Sequence, residues 1–248
     1  MRDKIYILIV GTEESSQRLA DLFKGKGDFI PIKFPVIKTI PLEVDKSLNE
    51  ILNFDGYIFG SKRAVDYFFK FYPIENFRNK LFIAVGKKTK EKLESLGLNN
   101  VLYPEKDFSS KGVLDLIKNN WDKFKDKKLL FPKSAIGVDT LEKNLPNVYP
   151  LPIYTTIPFK PHNLDTVETL LQNGDIKFIV FFSPSSFKAF KDIFSEKWRD
   201  YLKNSIVISI GKTTGKELEK NGITDFLLPE KSTSEYIHNL IIKRAGYL

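Results

Sequence analysis

The stretch VGKKTKEKLESLG, residues 85–97, returns later in the chain as IGKTTGKELEKNG, residues 210–222. Both stretches read as the end of a β-strand, a glycine turn and the first turns of a basic helix. The matched positions stand at a constant separation of 125 residues: Gly86, Thr89, Leu93 and Gly97 against Gly211, Thr214, Leu218 and Gly222. A repeat over this distance predicts two similar structural units in one chain.

The similarity extends beyond this turn to three further pairs of segments. YPEK at 103–106 matches LPEK at 228–231, GYIFGSKRAVDYFF at 56–69 matches FIVFFSPSSFKAF at 178–190, and PVIKTIP at 35–41 matches PIYTTIP at 152–158. The separation falls slowly, to 117 residues for the last pair, as loop insertions between matched elements would produce. We interpret the whole chain as a diverged tandem duplication.

Each half alternates short, apolar, β-rich runs with segments of helical spacing. The runs include KIYILIV, DGYIFG and LFIAVG, and later KKLLF, KFIVFF and SIVISIG. Alternation of this kind is typical of a parallel sheet with helices on both faces. The predicted fold class is therefore α/β, with ligands expected beyond the carboxyl ends of the strands.

Proline residues bracket two β-rich segments, VIKTI and IYTTI. Because proline is disfavoured in central strands, we predict that these are edge strands that pair with each other and link two lobes. Residues 35–40 and 151–158 would be the paired linker strands. Residues 1–34 with 159–248 would form the first α/β lobe, and residues 41–150 the second.

Composition limits the chemistry. The chain has no cysteine and two histidines, His162 and His238, and both are read as loop or helix-face residues, which disfavours metal and Ser-His-Asp sites. The apolar run after the first residues is too short for a signal peptide, so we expect a soluble cytoplasmic protein that does not span a membrane. The formal net charge of +8 is spread along the chain, and no nucleic-acid-binding motif accompanies it.

The repeated glycine turns can bind anions. In VGKKT and IGKTT, backbone N–H groups at a helix start point out of the sheet edge together, so Gly86, Lys87, Thr89, Gly211, Lys212, Thr213 and Thr214 are candidate ligand-binding residues. Thr214 and Glu217 also fit a capping box, and capping alone would explain both threonines. A P-loop is disfavoured because Leu81 and Ile206 occupy the positions where it needs glycine.

A second repeated turn, GSKRAV and FSPSSF, reads as another helix start. Ser183 as N-cap with Pro184 at the first helical position is a well-formed start, and Ser61 takes the equivalent place. Hydroxyls of Ser183, Ser185 and Ser186, with Ser61 and the charges of Lys62 and Arg63, would line a cleft between the lobes. Such a cleft suits a ligand with many carboxylates.

These motifs together resemble the uroporphyrinogen-III synthase family. The resemblance rests on IFGSKRAV, AVGKKT…LESLG, the central PIYTTIP with its tyrosine, FFSPSSF and ISIGKTT…LEKNG, and it covers both halves in the right order. It implies two flavodoxin-like lobes joined by a two-stranded β linker. It also implies a cofactor-free lyase of tetrapyrrole (heme) biosynthesis.

The implied reaction closes the linear tetrapyrrole hydroxymethylbilane to uroporphyrinogen III and inverts ring D. Loss of the ring A hydroxyl gives an azafulvene, which ring D attacks through its substituted carbon to form a spiro intermediate. The resemblance implies that Tyr154 assists the departure of hydroxide as a hydrogen-bond donor. It also implies a monomer that makes transient contact with the enzyme supplying hydroxymethylbilane.

Two other readings stay open at this point. A non-catalytic two-lobed binding or sensor protein for polycarboxylate ligands would show the same duplicated α/β layout. A nucleic-acid binder would need its basic residues clustered on one face, and would bind with a steep salt dependence.

Overall fold

A computed structural model describes residues 4–137 and 139–246. The chain divides into two compact units: unit 1 contains residues 1–39 and 156–248, and unit 2 contains residues 40–155. The chain therefore passes from one unit to the other twice. Residues 1–3 and 247–248 of the predicted first lobe, and residue 138 of the predicted second lobe, lie outside the described residues.

Strands and helices alternate along most of the chain. The strands are β1 (Ile5–Gly11), β2 (Phe29–Pro35), β3 (Ile37–Pro41), β4 (Gly56–Phe59), β5 (Leu81–Ala84), β6 (Val101–Leu102), β7 (Leu129–Ser134), β8 (Val148–Pro158), β9 (Ile176–Phe181) and β10 (Ile206–Ser209). The α-helices are α1 (Glu13–Asp21), α2 (Leu48–Leu52), α3 (Lys62–Phe71), α4 (Lys87–Ser95), α5 (Ser110–Asn119), α6 (Trp121–Phe124), α7 (Leu164–Gln172), α8 (Pro184–Phe194), α9 (Trp198–Leu202), α10 (Lys212–Lys220) and α11 (Ser234–Ala245). Within the described ranges, none of these helices combines the length and the apolar character that crossing a membrane requires.

Unit 1 is built on a four-stranded sheet with the order β10-β9-β1-β2. All three neighbouring pairs are parallel. Residues 7–10 of β1 are fully buried, as expected for a parallel strand covered on both faces. Helices α7, α8 and α9 contribute to the apolar core on one face, and α1 and α11 contribute to the core on the other.

Unit 2 contains the larger part of a six-stranded sheet with the order β3-β8-β7-β4-β5-β6. The four pairings from β8 to β6 are parallel. One core packs β4 against α3 and α4, and a second core packs the other face of β4 against α5 and α6. The predicted α/β class with parallel sheets is therefore confirmed.

The position of β8 corrects the prediction that both proline-bracketed segments are edge strands. β3 is an edge strand, but β8 lies between β3 and β7. A bond from Leu42 N to Ile153 O (3.0 Å) places β3 beside the second half of β8. Pro150 and Pro152 precede that half, so their missing N–H groups leave no bond to β3 unmade.

Candidate functional site

Unit 2 brings two helix N-termini together at the carboxyl edge of its sheet. β4 is followed by Ser61, the N-cap of α3, and β5 is followed by Gly86, the N-cap of α4. Val85 N donates a hydrogen bond to Phe59 O (3.0 Å) and joins the two strand ends. Ligands of open parallel sheets bind at this edge, so the serine turn and the glycine turn are placed for one ligand group.

Unit 1 repeats this geometry. β9 leads to Ser183, the N-cap of α8, and β10 leads to Gly211, the N-cap of α10. Ile210 N donates to Phe181 O (3.0 Å), the counterpart of the bond in unit 2. Each unit thus carries one serine turn beside one glycine turn at the same edge of its sheet.

The predicted serine caps are confirmed. Ser61 Oγ accepts a hydrogen bond from Ala64 N (3.2 Å). Ser183 Oγ accepts from Ser186 N (3.0 Å), Ser186 Oγ accepts from Ser183 N (3.1 Å), and Pro184 takes the first helical position. The Ser186 hydroxyl also donates to Ser183 O (2.8 Å), so this side chain serves the cap.

The glycine turns differ from the prediction in one respect. Helices α4 and α10 start three residues earlier than a threonine cap requires, with the extended glycines Gly86 and Gly211 as N-caps, and neither N-cap residue makes a side-chain cap hydrogen bond. Thr214 is consequently the third helical residue, so the predicted capping box of Thr214 with Glu217 is wrong. A helix start without a side-chain cap leaves its first N–H groups available to an anion.

The predicted side chains divide by exposure. Those of Lys62, Lys87, Lys212 and Thr213 are exposed, those of Ser61, Arg63, Ser183, Pro184 and Ser185 are half-buried, and those of Thr89, Ser186 and Thr214 are buried. The buried members do not present their side chains to solvent, and the backbone N–H groups of Thr89 and Ser186 already donate to Gly86 O (3.0 Å) and Ser183 Oγ (3.0 Å). A common ligand for the turns of the two units stays a prediction.

Tyr154 lies in β8 and is half-buried. Its carbonyl accepts a hydrogen bond from Ala135 N (2.9 Å). Its ring stacks on the ring of Tyr67, with centroids 5.2 Å apart and an interplanar angle of 18°. Tyr67 belongs to α3, the helix that Ser61 caps, so in unit 2 the candidate proton donor and the serine turn share one structural support.

Sequence reasoning missed a buried ionic cluster at the end of β7. Lys133 Nζ bonds to Asp139 (2.8 Å) and to Glu142, and the lysine side chain is 8% exposed. Burial lowers the pKa of Lys133, but the hydrogen bonds to both carboxylates outweigh it and the net shift is upward. The same bond lowers the pKa of Asp139. In the sequence, a lysine near the end of an apolar strand was the one sign of this cluster. Its acidic partners lie in the loop that follows, where no periodic pattern places them beside the lysine.

Comparison with known sequences agrees with this architecture. The family model described as uroporphyrinogen-III synthase HemD matches residues 17–238. The chain is 25% identical over 214 residues to the uroporphyrinogen-III synthase of Chlorobaculum parvum, an alignment that covers 80% of this chain and 82% of the relative.

Solved structures share the fold. Uroporphyrinogen-III synthetase from Helicobacter pylori aligns with a TM-score of 0.66 at 19% identity, over 98% of this chain and 100% of that one. A mutant uroporphyrinogen III synthase from Thermus thermophilus aligns with a TM-score of 0.64 at 18% identity, over 98% of this chain and 99% of that one. Because the family model spans most of the sequence, the chain belongs to the uroporphyrinogen-III synthase family, lyases of tetrapyrrole biosynthesis.

Proposed function

We propose that this chain cyclises hydroxymethylbilane to uroporphyrinogen III with inversion of ring D. The observation that carries the proposal is the pairing of a serine turn with a glycine turn at the carboxyl edge of each sheet. Hydroxymethylbilane, the substrate of the family, carries eight carboxylates. The helix N-termini of either unit and a formal net charge of +8 suit the binding of carboxylates.

The glycine turns supply the most accessible donors. The N–H groups of Lys87 and Lys88 in α4, and of Lys212 and Thr213 in α10, belong to first helical turns whose N-caps are glycines. In this proposal they donate to substrate carboxylates, and the exposed lysine side chains add charge. Charge-assisted hydrogen bonds of this kind are about twice as strong as neutral ones.

The serine turns act mainly through their backbone as well. The hydroxyls of Ser61 and Ser183 cap their own helices. The first two helical residues are Lys62 and Arg63 in α3, and Pro184 and Ser185 in α8. The buried Thr89, Ser186 and Thr214 support the turns. In this proposal the protein holds the flexible tetrapyrrole in one conformation, so that ring D meets the reactive carbon of ring A.

Tyr154 is the proposed hydrogen-bond donor for the departing hydroxyl of ring A. A phenol can donate its proton to the leaving oxygen, so that the hydroxyl leaves as water, and the proton then lost from the ring A pyrrole nitrogen gives the neutral azafulvene and restores the phenol. Ring D then attacks through its substituted carbon, and the spiro intermediate fragments and recloses in the inverted orientation. The azafulvene is reactive once formed, so Tyr154 assists one step and the bound conformation decides the product.

The two units support descent from one duplicated, flavodoxin-like lobe. The order β10-β9-β1-β2 in one sheet corresponds to β5-β4-β7-β8 in the other, and the repeated turns follow β10 and β5, and β9 and β4. We propose paired linker strands at 35–40 and 151–158, a first lobe of 1–34 and 159–248, and a second of 41–150. β3 and β8, which cross the unit boundaries, support the linker.

The product isomer tests this function. Purified protein is given freshly generated hydroxymethylbilane, the products are oxidised, and the type I and type III uroporphyrins are separated. Unaided closure gives type I, so we expect type III to dominate in the presence of the protein. Type I alone from folded protein would contradict the proposal and favour a polycarboxylate-binding protein.

A further inference from the structure

The ring of Tyr154 is stacked on the ring of Tyr67, and both residues belong to unit 2. The centroid separation of 5.2 Å and the interplanar angle of 18° describe an offset stack, a favoured arrangement of two aromatic rings. Lys70 Nζ lies 5.2 Å from the Tyr67 ring centroid, which adds a cation–π contact to the pair. Tyr154 thus has a defined neighbour on one ring face.

The backbone around Tyr154 shows why its ring needs support. The pairing of β7 with β8 shifts register between Lys133 and Ser134, so that Lys133 pairs with Pro152 but Ser134 pairs with Tyr154. A bulge of this kind turns the side chains that follow it. Ile153, the extra residue, is fully buried, whereas Tyr154 is half-buried at the margin of the same core.

Helix α3 is a rigid platform for Tyr67. Its N-terminus is capped by Ser61. Phe68, which follows Tyr67 in the helix, is fully buried and packs on Tyr57, Phe59 and Phe77. Tyr67 lies about 9 Å along the helix axis from the capped N-terminus, at 1.5 Å per residue. A carboxylate bound at the serine turn and the ring that supports Tyr154 are therefore held by one short helix.

We propose that Tyr67 is a positioning residue for the reaction: its ring fixes the orientation of the Tyr154 ring, and through it the direction of the phenol hydroxyl. This inference rests on the proposed function, in which Tyr154 donates to the leaving hydroxyl. A donor must lie within hydrogen-bond reach and in line with the leaving oxygen. Without the stack, the half-buried Tyr154 ring can adopt other rotamers. Its hydroxyl is then aligned with the leaving oxygen for a smaller fraction of the time.

The test compares Tyr67→Leu with Tyr67→Phe in steady-state formation of type III product. Tyr67→Leu removes the ring, and we expect kcat to fall about threefold to tenfold with KM within about twofold, because the loss lies in aiming a donor and not in binding. Tyr67→Phe keeps the ring and should retain the kcat of the parent chain. Equal losses in both variants, or no loss in either, would overturn the proposal.

Two controls separate positioning from folding. Phe71→Leu changes another aromatic residue of α3 that is 38% exposed, and it should leave kcat unchanged. In a Tyr154→Phe background, Tyr67→Leu should have no further effect on kcat, because no phenol is left to aim. Full, multiplicative losses in the double variant would show that Tyr67 acts independently of Tyr154 and would overturn the inference.

The parent chain distinguishes the two hypotheses. If it yields no type III product, the proposed function fails before any variant is compared. If it yields type III product and Tyr154→Phe is slowed while Tyr67→Leu is not, only the positioning role fails. The thermal unfolding temperature of each variant, compared with that of the parent chain, tests whether the compared proteins are equally folded.

Discussion

The glycine turns of the two units have the same backbone and different surroundings. Both glycines are extended N-caps that supply no side-chain cap, and in α10 the Ser209 hydroxyl donates a hydrogen bond to Gly211 O (2.8 Å). A Cβ built on Gly211 would stand 2.4 Å from Ser232 Oγ, whereas one built on Gly86 would stand 3.5 Å from Phe108 Cβ. The shared feature is the row of N–H groups at the helix start, so that row is the part that a common function of the two turns would use.

The helices behind the turns differ more. Gly215 in α10 makes room for the Phe226 ring, which would lie 2.8 Å from a Cβ at that position. The corresponding position in α4 is Lys90, whose Nζ lies 4.7 Å from the Tyr103 ring centroid. Packing behind the turns therefore differs between the two units, while the turn geometry is similar. Substitutions in each unit can separate what is specific to that unit from what both share.

β7 and β1 occupy corresponding places in the two sheets. Substitutions near their carboxyl ends should differ most in the unfolding free energy that they cost. Lys133→Ala would leave Glu142, with a side chain 12% exposed, without its cation, and we expect a loss of about 3 kcal/mol in unfolding free energy. Ser15→Ala in α1, the helix that follows β1, removes only the reciprocal half of a capping box whose N-cap is Thr12, and it should cost less than about 1 kcal/mol. Urea unfolding measures both, and equal losses would contradict the expected ranking.

Tyr154→Phe should slow type III formation about tenfold without abolishing it, since general acid assistance supports only one step and the bound conformation supplies the rest. The measurement is kcat with hydroxymethylbilane at saturation. Complete loss of activity in a variant that unfolds at the parent temperature would contradict the conformational account.

Gly215→Ala and Lys90→Ala test the difference in packing behind the two glycine turns. A Cβ at position 215 meets the Phe226 ring, and overpacking of this size costs about 1–3 kcal/mol, offset in part by the better helix propensity of alanine. Lys90→Ala loses a cation–π contact with Tyr103 of about 0.5 kcal/mol and a surface ion pair with Glu94 of about 0.3 kcal/mol. Thermal unfolding should therefore rank Gly215→Ala as the more destabilising change, and the reverse order would show that the ring moves aside freely.

Acid should affect the ionic cluster of unit 2 in a predictable direction. The bond from Lys133 lowers the pKa of Asp139 below its usual value of 3.8, so its stabilising contribution is present above that value and is lost as the pH falls through the lower folded-state pKa. Asp139→Asn should thus reduce stability at pH 6, and the difference from the parent chain should shrink as the pH is lowered below 3.8. A difference from the parent chain that is independent of pH would contradict this.

Local patterns predicted a large part of this molecule. Alternating apolar runs predicted the parallel α/β class. The helix starts at Ser61 and Ser183 were also predictable, because N-capping depends only on the cap residue and the next three residues. The Thr214 cap was mistaken because glycine can also serve as an N-cap, so two helix starts were compatible with IGKTT. The inner position of β8, the Lys133 cluster and the Tyr67–Tyr154 stack join residues distant in sequence, for which the chain has no short-range signal.

The central claim, that each glycine turn binds a substrate carboxylate, is tested most directly by placing a competing carboxylate in each turn. Lys88→Asp and Thr213→Asp put a negative charge in the first turn of α4 and of α10, which favours the helix dipole but repels a ligand carboxylate. Lys88→Asn and Thr213→Asn are the uncharged controls.

Calorimetric titration with uroporphyrinogen III measures the affinity of each variant. The account predicts that both aspartate variants unfold no earlier than their asparagine controls, yet bind about tenfold more weakly, a loss of roughly 1.4 kcal/mol. Unchanged affinity in both aspartate variants would contradict it.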